Sequence, residues 1–225
     1  MKKIGMLVAV EMEAVFSRYG RETKILEYPG YSIYVYENPD YTIYALSSGA
    51  GEIASSAGTQ FLITALGVDF VVNFGVAGGL TPEMALAKLC VVEKVVHYDL
   101  DTRAWLGNAI GQYPGYPDCY IPADSALVDK ACALFPELRR VICASADKFV
   151  EEAEDKSRLH REFGAELCEM EAAGILLTCR RNGVPCLLIK AVSDSLLGGA
   201  EEFLSALKHT AELALDVADR IIKEL

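Results

Sequence analysis

Residues 166–194, ELCEMEAAGILLTCRRNGVPCLLIKAVSD, constrain the fold more than any other part of the chain. The stretch predicts strand, helix, strand. Glu166-Leu167-Cys168 is short and mostly apolar, which fits a buried strand. Residues 172–181 carry apolar side chains at helical spacing, and Asn182-Gly183 supplies a C-terminal stop. Pro185 blocks further helix, and residues 186–192 form a β-rich apolar run suited to a central strand. The run ends in Ser193-Asp194. In parallel α/β sheets, ligands sit beyond the carboxyl ends of the strands. Read as one crossover unit, the stretch puts Glu171 and Asp194 at two such ends, where they can share a crevice. Each acid also has a plain structural reading, Glu171 as a first-turn partner of the helix dipole and Asp194 as a turn or N-cap residue.

The rest of the chain extends the same pattern. Residues 4–10 form an apolar first strand, buried on both faces. Glu11-Met12-Glu13 then opens a helix that stops near Gly20. Glu13 reads either as a helix-dipole partner or as a third acid on the same sheet edge. Residues 24–28, 31–36 and 41–47 predict three antiparallel strands, with Pro29-Gly30 and Asn38-Pro39-Asp40 as the turns between them. The loop SSGAGE at 47–52 precedes a helix that runs to Leu66. Residues 68–74 predict another buried strand, ending in Gly75-Val76-Ala77-Gly78-Gly79. Three glycines in five residues mark either a turn with φ > 0 or close approach of backbone to a ligand. Residues 87–100 read as a long bent strand or a strand pair. Residues 99–119 are irregular and include GQYPGYP, a length typical of a lid or interface loop. Asp124 is the expected N-cap of a helix over 125–135. Residues 140–146 predict a strand that leads into Asp147-Lys148-Phe149-Val150, where Phe149 is either a core residue or a ring that stacks on a flat base. Residues 154–163 predict a charged surface helix, and residues 200–225 an amphipathic one. One domain is expected over the 225 residues.

Composition narrows the function. The chain carries 21 basic and 32 acidic residues, a net charge of −11, which excludes a nucleic-acid backbone as partner but not a small nucleoside. Seven scattered cysteines without a CxxC pair predict reduced thiols in a cytoplasmic protein. His97 lacks a second histidine or cysteine nearby, so no metal site is expected. Lys2-Lys3 precede only a short apolar run that Glu11 and Glu13 interrupt, so no secretion signal is expected. No charge-free apolar run reaches the roughly 20 residues that span a bilayer, so no membrane association is expected either.

Together the motifs IGMLVAVEMEAV, SSGAGEIASSAGTQ, VVNFGVAGGL, GQYPG, SADKFV, EMEAAG and AVSD resemble the nucleoside phosphorylase/nucleosidase superfamily, and within it the 5'-methylthioadenosine/S-adenosylhomocysteine nucleosidases. The resemblance runs from Lys3 to the terminal helix. It implies a three-layer α/β fold around a mixed, barrel-like sheet, a homodimer, and no metal or organic cofactor. It also implies residue roles. Asp194 would be the general acid at N7 of the leaving adenine, oriented by Ser193. Glu13 would position and deprotonate the attacking water. Glu171 would hold the ribose 2'-hydroxyl, with Met170 packed on the sugar and Glu169 beside it. Phe149 would stack on the base and the Val150 backbone would read its edge. Val76, Ala77 and Gly78 would contact the substrate. Trp105, Leu106 and Pro114 would face the 5'-alkylthio pocket of a neighbouring subunit.

Cleavage of an N-glycosidic bond calls for such a set. The sugar becomes oxocarbenium-like and the purine gathers negative charge. An acid at the base avoids expelling an anion, and a carboxylate on the opposite face activates water. Phosphorolysis is the close competitor. Phosphorylases that resemble this chain usually carry an arginine just before the glycine loop, where Asn73 stands here, which favours hydrolysis. Three departures from the nucleosidase pattern bear on the substrate: Val76 in place of serine, Lys190 in place of arginine, and a short segment over 195–200. Another purine nucleoside, futalosine included, remains an alternative, as does a non-catalytic nucleoside-binding protein.

Overall fold

A computed structural model describes residues 1–225. The chain opens with β1 (Lys2–Val8), α1 (Met12–Tyr19), β2 (Lys24–Tyr28), β3 (Tyr31–Glu37), β4 (Tyr41–Ser47) and α2 (Glu52–Leu66). It continues with β5 (Phe70–Gly79), β6 (Leu89–His97), the short α3 (Arg103–Leu106), β7 (Tyr120–Pro122), α4 (Ser125–Leu134) and β8 (Arg139–Ser145). The last elements are α5 (Ala153–Phe163), β9 (Leu167–Glu169), α6 (Ala172–Asn182), β10 (Cys186–Asp194) and α7 (Ala200–Glu224).

The sheet order is β10-β6-β8-β9-β5-β1-β4-β3-β2, and β10 also pairs with β5. That extra pairing closes β5, β10, β6, β8 and β9 into a five-stranded mixed barrel, with β1 to β4 continuing from it as an open sheet. Strands β5 and β10 are buried along their whole length, which explains their continuous apolar runs. Gly5 and Leu7 of β1 face α2: a Cβ on Gly5 would sit 3.2 Å from Leu62, and one on Gly58 would sit 2.9 Å from Leu7. Helix α7 packs on β5 and β10 and against α1 and α4, while α2 and α6 pack on each other. The result is the three-layer α/β arrangement around a barrel-like sheet. Its main core holds 54 buried apolar residues, and a smaller group around Leu80, Val96, Leu159 and Phe163 lies beneath α5.

Most of the elements read from sequence are present, including the antiparallel β2-β3-β4 meander and the Asp124 cap, whose carboxylate accepts from the Leu127 amide at 3.0 Å. Within residues 87–100 the structure has one strand, β6 (Leu89–His97), whose irregularity is a register shift between Val92 and Lys94. The glycine run is not a turn. It is the end of β5, and none of its glycines has positive φ.

The expected parallel crossover is corrected. Strand β9 pairs antiparallel with β5, whereas β10 pairs parallel with it. The two strands of the 166–194 unit therefore run in opposite senses on either side of β5. Their functional ends still meet, because the barrel closes there: Gly78 of β5 pairs with Cys168 on one side and with Asp194 on the other.

Candidate active site

A cavity opens where β5, β9 and β10 end, with roughly 530 Å³ of empty space including its mouth. Its wall comprises Ala9, Val10 and Glu11 after β1, Ala50 before α2, and Val76, Ala77 and Gly78 of β5. Phe149, Cys168, Glu169, Met170, Glu171, Ser193, Asp194 and Phe203 complete it. Four of these residues are carboxylic acids and none is a lysine, arginine or histidine.

The structure corrects the placement of Glu13. Helix α1 begins at Met12, so Glu13 lies in its first turn and points to solvent, with 71% of its side chain exposed and paired with Arg21. Glu11, the residue before the helix, is buried and faces the cavity. Its Oε2 accepts from the Val10 amide at 2.9 Å and its Oε1 from the Val76 amide at 3.2 Å. Gly75 makes this approach possible, since a Cβ there would stand 2.6 Å from Glu11 Oε1. Gly78 does the same for Asp194, whose Oδ2 would lie 2.9 Å from an added Cβ. The glycines of β5 thus make room for acids of the site.

Asp194 is buried at the end of β10. The Ser193 hydroxyl donates to its Oδ1 at 2.9 Å, with the Ala77 carbonyl 3.3 Å from the same hydroxyl. Its Oδ2 pairs at 2.6 Å with Lys156, a fully buried lysine of α5. Sequence reading missed Lys156 by taking α5 for a surface helix. The available signal was its place at the head of the buried stripe Lys156, Leu159 and Phe163.

Glu171 immediately precedes α6 and is buried. It does not cap its own helix. Instead its Oε1 accepts from the Gly51 amide at 2.9 Å, which uses the small-residue loop before α2. Burial and the negative charge of Glu169 push its carboxyl up to about 7, against the pull of Lys190 and the Gly51 bond.

Glu169 contributes to the cavity wall, but its oxygens are already engaged. They accept from the amides of Glu171 at 3.2 Å and Ala172 at 3.0 and 3.1 Å, from Lys190 at 3.0 Å, and from Ser145 at 2.6 Å. It anchors the start of α6 rather than presenting a free carboxylate. Burial alone would pull Lys190 down, yet Glu169, Glu171 and Glu11 together hold its ammonium above the ordinary lysine value. Ser145 also lies 2.5 Å from Glu52 Oε1. One hydroxyl hydrogen cannot serve two carboxylates, so one of the pair must carry a proton. Burial, then repulsion from Glu169, push Glu52 up to about 8, which identifies it as the protonated member. Nothing in the sequence linked Glu52, Ser145 and Glu169, which come from three distant elements.

Phe149 is partly exposed and meets Phe203 edge to face at 5.4 Å, so two rings flank the cavity. Val150 is buried in the smaller core and does not line the cavity, although its backbone borders Phe149. Met170 lies in the wall beside Glu171. Trp105 is 81% exposed, and Leu106 and Pro114 are also exposed. None of the three reaches the cavity within this chain. No group of three or more His, Cys, Asp or Glu side chains is placed to hold a metal ion, and no helix is long and apolar enough to cross a membrane.

Residues 3–225 match the family model described as "Phosphorylase superfamily". The chain belongs to the phosphorylase superfamily. Among superfamily members, it is 38% identical over 186 residues to the 5'-methylthioadenosine/S-adenosylhomocysteine nucleosidase of Geobacillus kaustophilus, covering 76% of this chain and 77% of that one. It is 29% identical over 232 residues to the aminodeoxyfutalosine nucleosidase of Campylobacter jejuni, covering 98% and 100%. The crystal structure of the Helicobacter pylori 5'-methylthioadenosine/S-adenosyl homocysteine nucleosidase, in complex with a pyrrolopyrimidine-pyrrolidinol ligand, superposes with a TM-score of 0.93 at 27% identity. That match covers 100% of this chain and 99% of that one.

Proposed function

We propose that the chain is a nucleosidase that hydrolyses the N-glycosidic bond of 5'-methylthioadenosine or S-adenosylhomocysteine, releasing adenine and a 5-thio-substituted ribose. The observation that carries this reading is the convergence of Glu11, Glu171 and Asp194 on one cavity whose wall has no cationic side chain. A phosphate nucleophile would enter a site lined by carboxylic acids without a cationic partner. Water meets no such repulsion.

In this reading Glu11 takes the place assigned to Glu13 from sequence. Its carboxylate is fixed by two backbone amides and accepts the proton of the attacking water. Glu171 binds the ribose 2'-hydroxyl and, as an anion, favours positive charge growing on the sugar. Asp194, oriented by Ser193, delivers a proton to the departing purine. Phe149 and Phe203 flank the base, and Met170 and Val76 supply apolar contact. The exposed Trp105, Leu106 and Pro114 support a homodimer in which this loop borders the partner's alkylthio pocket. Seven unpaired thiols support a reducing, cytoplasmic setting. Aminodeoxyfutalosine is the second substrate candidate, favoured by the end-to-end match to the Campylobacter jejuni enzyme.

The test is release of free base from 5'-methylthioadenosine, S-adenosylhomocysteine and aminodeoxyfutalosine by purified protein. Turnover of the first two is expected. Turnover of aminodeoxyfutalosine alone would transfer the assignment to the second candidate, and no release from any of them would refute both.

A further inference from the structure

Lys156 is the one charged group in contact with Asp194, and its burial needs an explanation. Its side chain has 0% exposure. Its ammonium has three hydrogens and three acceptors: Asp194 Oδ2 at 2.6 Å, the Ser195 carbonyl at 2.7 Å and the Gly198 carbonyl at 2.8 Å. Burying an ammonium is costly unless it is fully paired, as it is here. In this ion pair the proton rests on the amine, and Asp194 is an anion with nothing to donate. A general acid at this position needs a proton from somewhere.

We propose that Lys156 is a positioning residue that stores the proton Asp194 passes to the departing base, so that the pair works as one acid. The inference rests on the nucleosidase reading above. As the C–N bond to the purine breaks, its electron pair moves to the base, which becomes basic enough to take a proton. The N–H of Lys156 that faces Asp194 then breaks as an O–H forms on Oδ2. That O–H turns to the cavity and breaks as an N–H forms on the purine. Lys156 is left as a neutral amine and Asp194 as the carboxylate it was. A proton from solvent water restores the ammonium. The acceptor count fits the step: a neutral amine keeps two N–H groups, and two carbonyls, Ser195 and Gly198, remain to receive them. Asp194 Oδ2, which loses its lysine N–H, keeps the newly formed purine N–H as its donor until the base departs.

The same two carbonyls tie Lys156 to the short segment after β10, so that segment and the acid are held by one side chain. Other ionisable groups near the pair are few. Cys168 of β9 packs beside Gly78 and Asp194. Glu202 of α7 accepts from the Ser195 amide at 2.6 Å, and Glu151, before α5, accepts from the Ala200 amide at 3.3 Å. Both glutamates bond to the segment rather than to the lysine.

The experiment is kcat against pH, from 5 to 10, with 5'-methylthioadenosine for the parent, Lys156→Arg and Lys156→Met, with folding checked by thermal melts. The parent is expected to hold kcat through neutral and mildly alkaline pH. Lys156→Arg keeps a cation beside Asp194 but does not yield its proton, so kcat should fall at least about tenfold with KM nearly unchanged. Lys156→Met leaves a lone carboxylic acid, whose kcat should fall about tenfold per pH unit once that acid is ionised. Parent-like kcat in Lys156→Arg, or a loss in Lys156→Met that is the same at every pH, would overturn the proposal. If neither variant folds, the parent decides: a kcat that declines steadily from acid to neutral pH indicates a lone carboxylic acid and overturns it. Absence of turnover by the parent would instead refute the nucleosidase reading itself.

Discussion

Replacing Glu11 by glutamine separates the two acids that compete for the water-activating role. Glu11 is buried in the cavity wall with both oxygens on backbone amides, whereas Glu13 is exposed and paired with Arg21. An amide cannot accept the proton of water, so Glu11→Gln forfeits general-base help of about 10²–10⁴-fold in kcat. At about 1.4 kcal/mol per factor of ten, that is about 3–5 kcal/mol of barrier. Stability changes less. The amide oxygen can still serve one of the Val10 and Val76 amides, while its NH₂ opposes the other, leaving one buried donor unpaired at about 1–3 kcal/mol. For a chain of this size each kcal/mol lowers Tm by roughly 2–4 °C. Glu13→Gln removes only a solvent-exposed ion pair and should leave kcat within about twofold and Tm within about a degree or two. The assay is initial-rate adenine release from 5'-methylthioadenosine alongside a thermal melt. A larger loss of kcat in Glu13→Gln than in Glu11→Gln, or parent-like turnover in Glu11→Gln, would refute the assignment.

Three other outcomes are expected. Gly75→Ala places a Cβ 2.6 Å from Glu11 Oε1, so it should displace that carboxylate and lower kcat at least about tenfold while costing about 1–3 kcal/mol in a denaturant melt. Asp194→Asn retains an oxygen that can accept from Lys156, so it should fold, as far-UV circular dichroism would report, while kcat falls at least about a hundredfold. In the ligand-free protein, Glu171 and Glu52 are raised from the ordinary value near 4.5 to about 7 and about 8. Raised carboxyls mean that the folded state binds protons more tightly than the unfolded one. The stability they confer is present at low pH and is lost as pH rises from about 4.5 through 7 and then 8. The loss is on the order of a few kcal/mol, visible as a Tm that falls between pH 5 and pH 8 and falls less in Glu52→Gln. A flat or rising Tm across that window would contradict the charge assignment.

The fold was largely legible because its core strands are continuous apolar runs and its helices are bounded by Gly20, Gly67, Gly164 and Gly183. Asp194 and Glu171 were legible because each lies at the edge of such a run. Three features were not. The sense of β9 depends on barrel closure, a pairing between distant strands that local periodicity does not encode. The choice between Glu11 and Glu13 turns on where α1 begins: one residue of helix start decides which acid turns inward and which faces solvent. Gly75 carried the relevant signal, but only the pairing of β1 with β5 brings it against Glu11. Lys156 was hidden by its neighbours, since Glu154, Asp155, Arg158 and Arg161 make α5 read as solvated. Its placement three residues before Leu159 and seven before Phe163 marked the buried face.

On the nucleosidase reading, water, not phosphate, attacks the sugar. The most direct measurement is of the products formed from 5'-methylthioadenosine with and without inorganic phosphate, with adenine and the sugar both quantified. Adenine and free methylthioribose in equal amounts, at a rate independent of phosphate, are expected from a cavity walled by Glu11, Glu171 and Asp194 without a cation. A requirement for phosphate, with a sugar 1-phosphate as product, would contradict it.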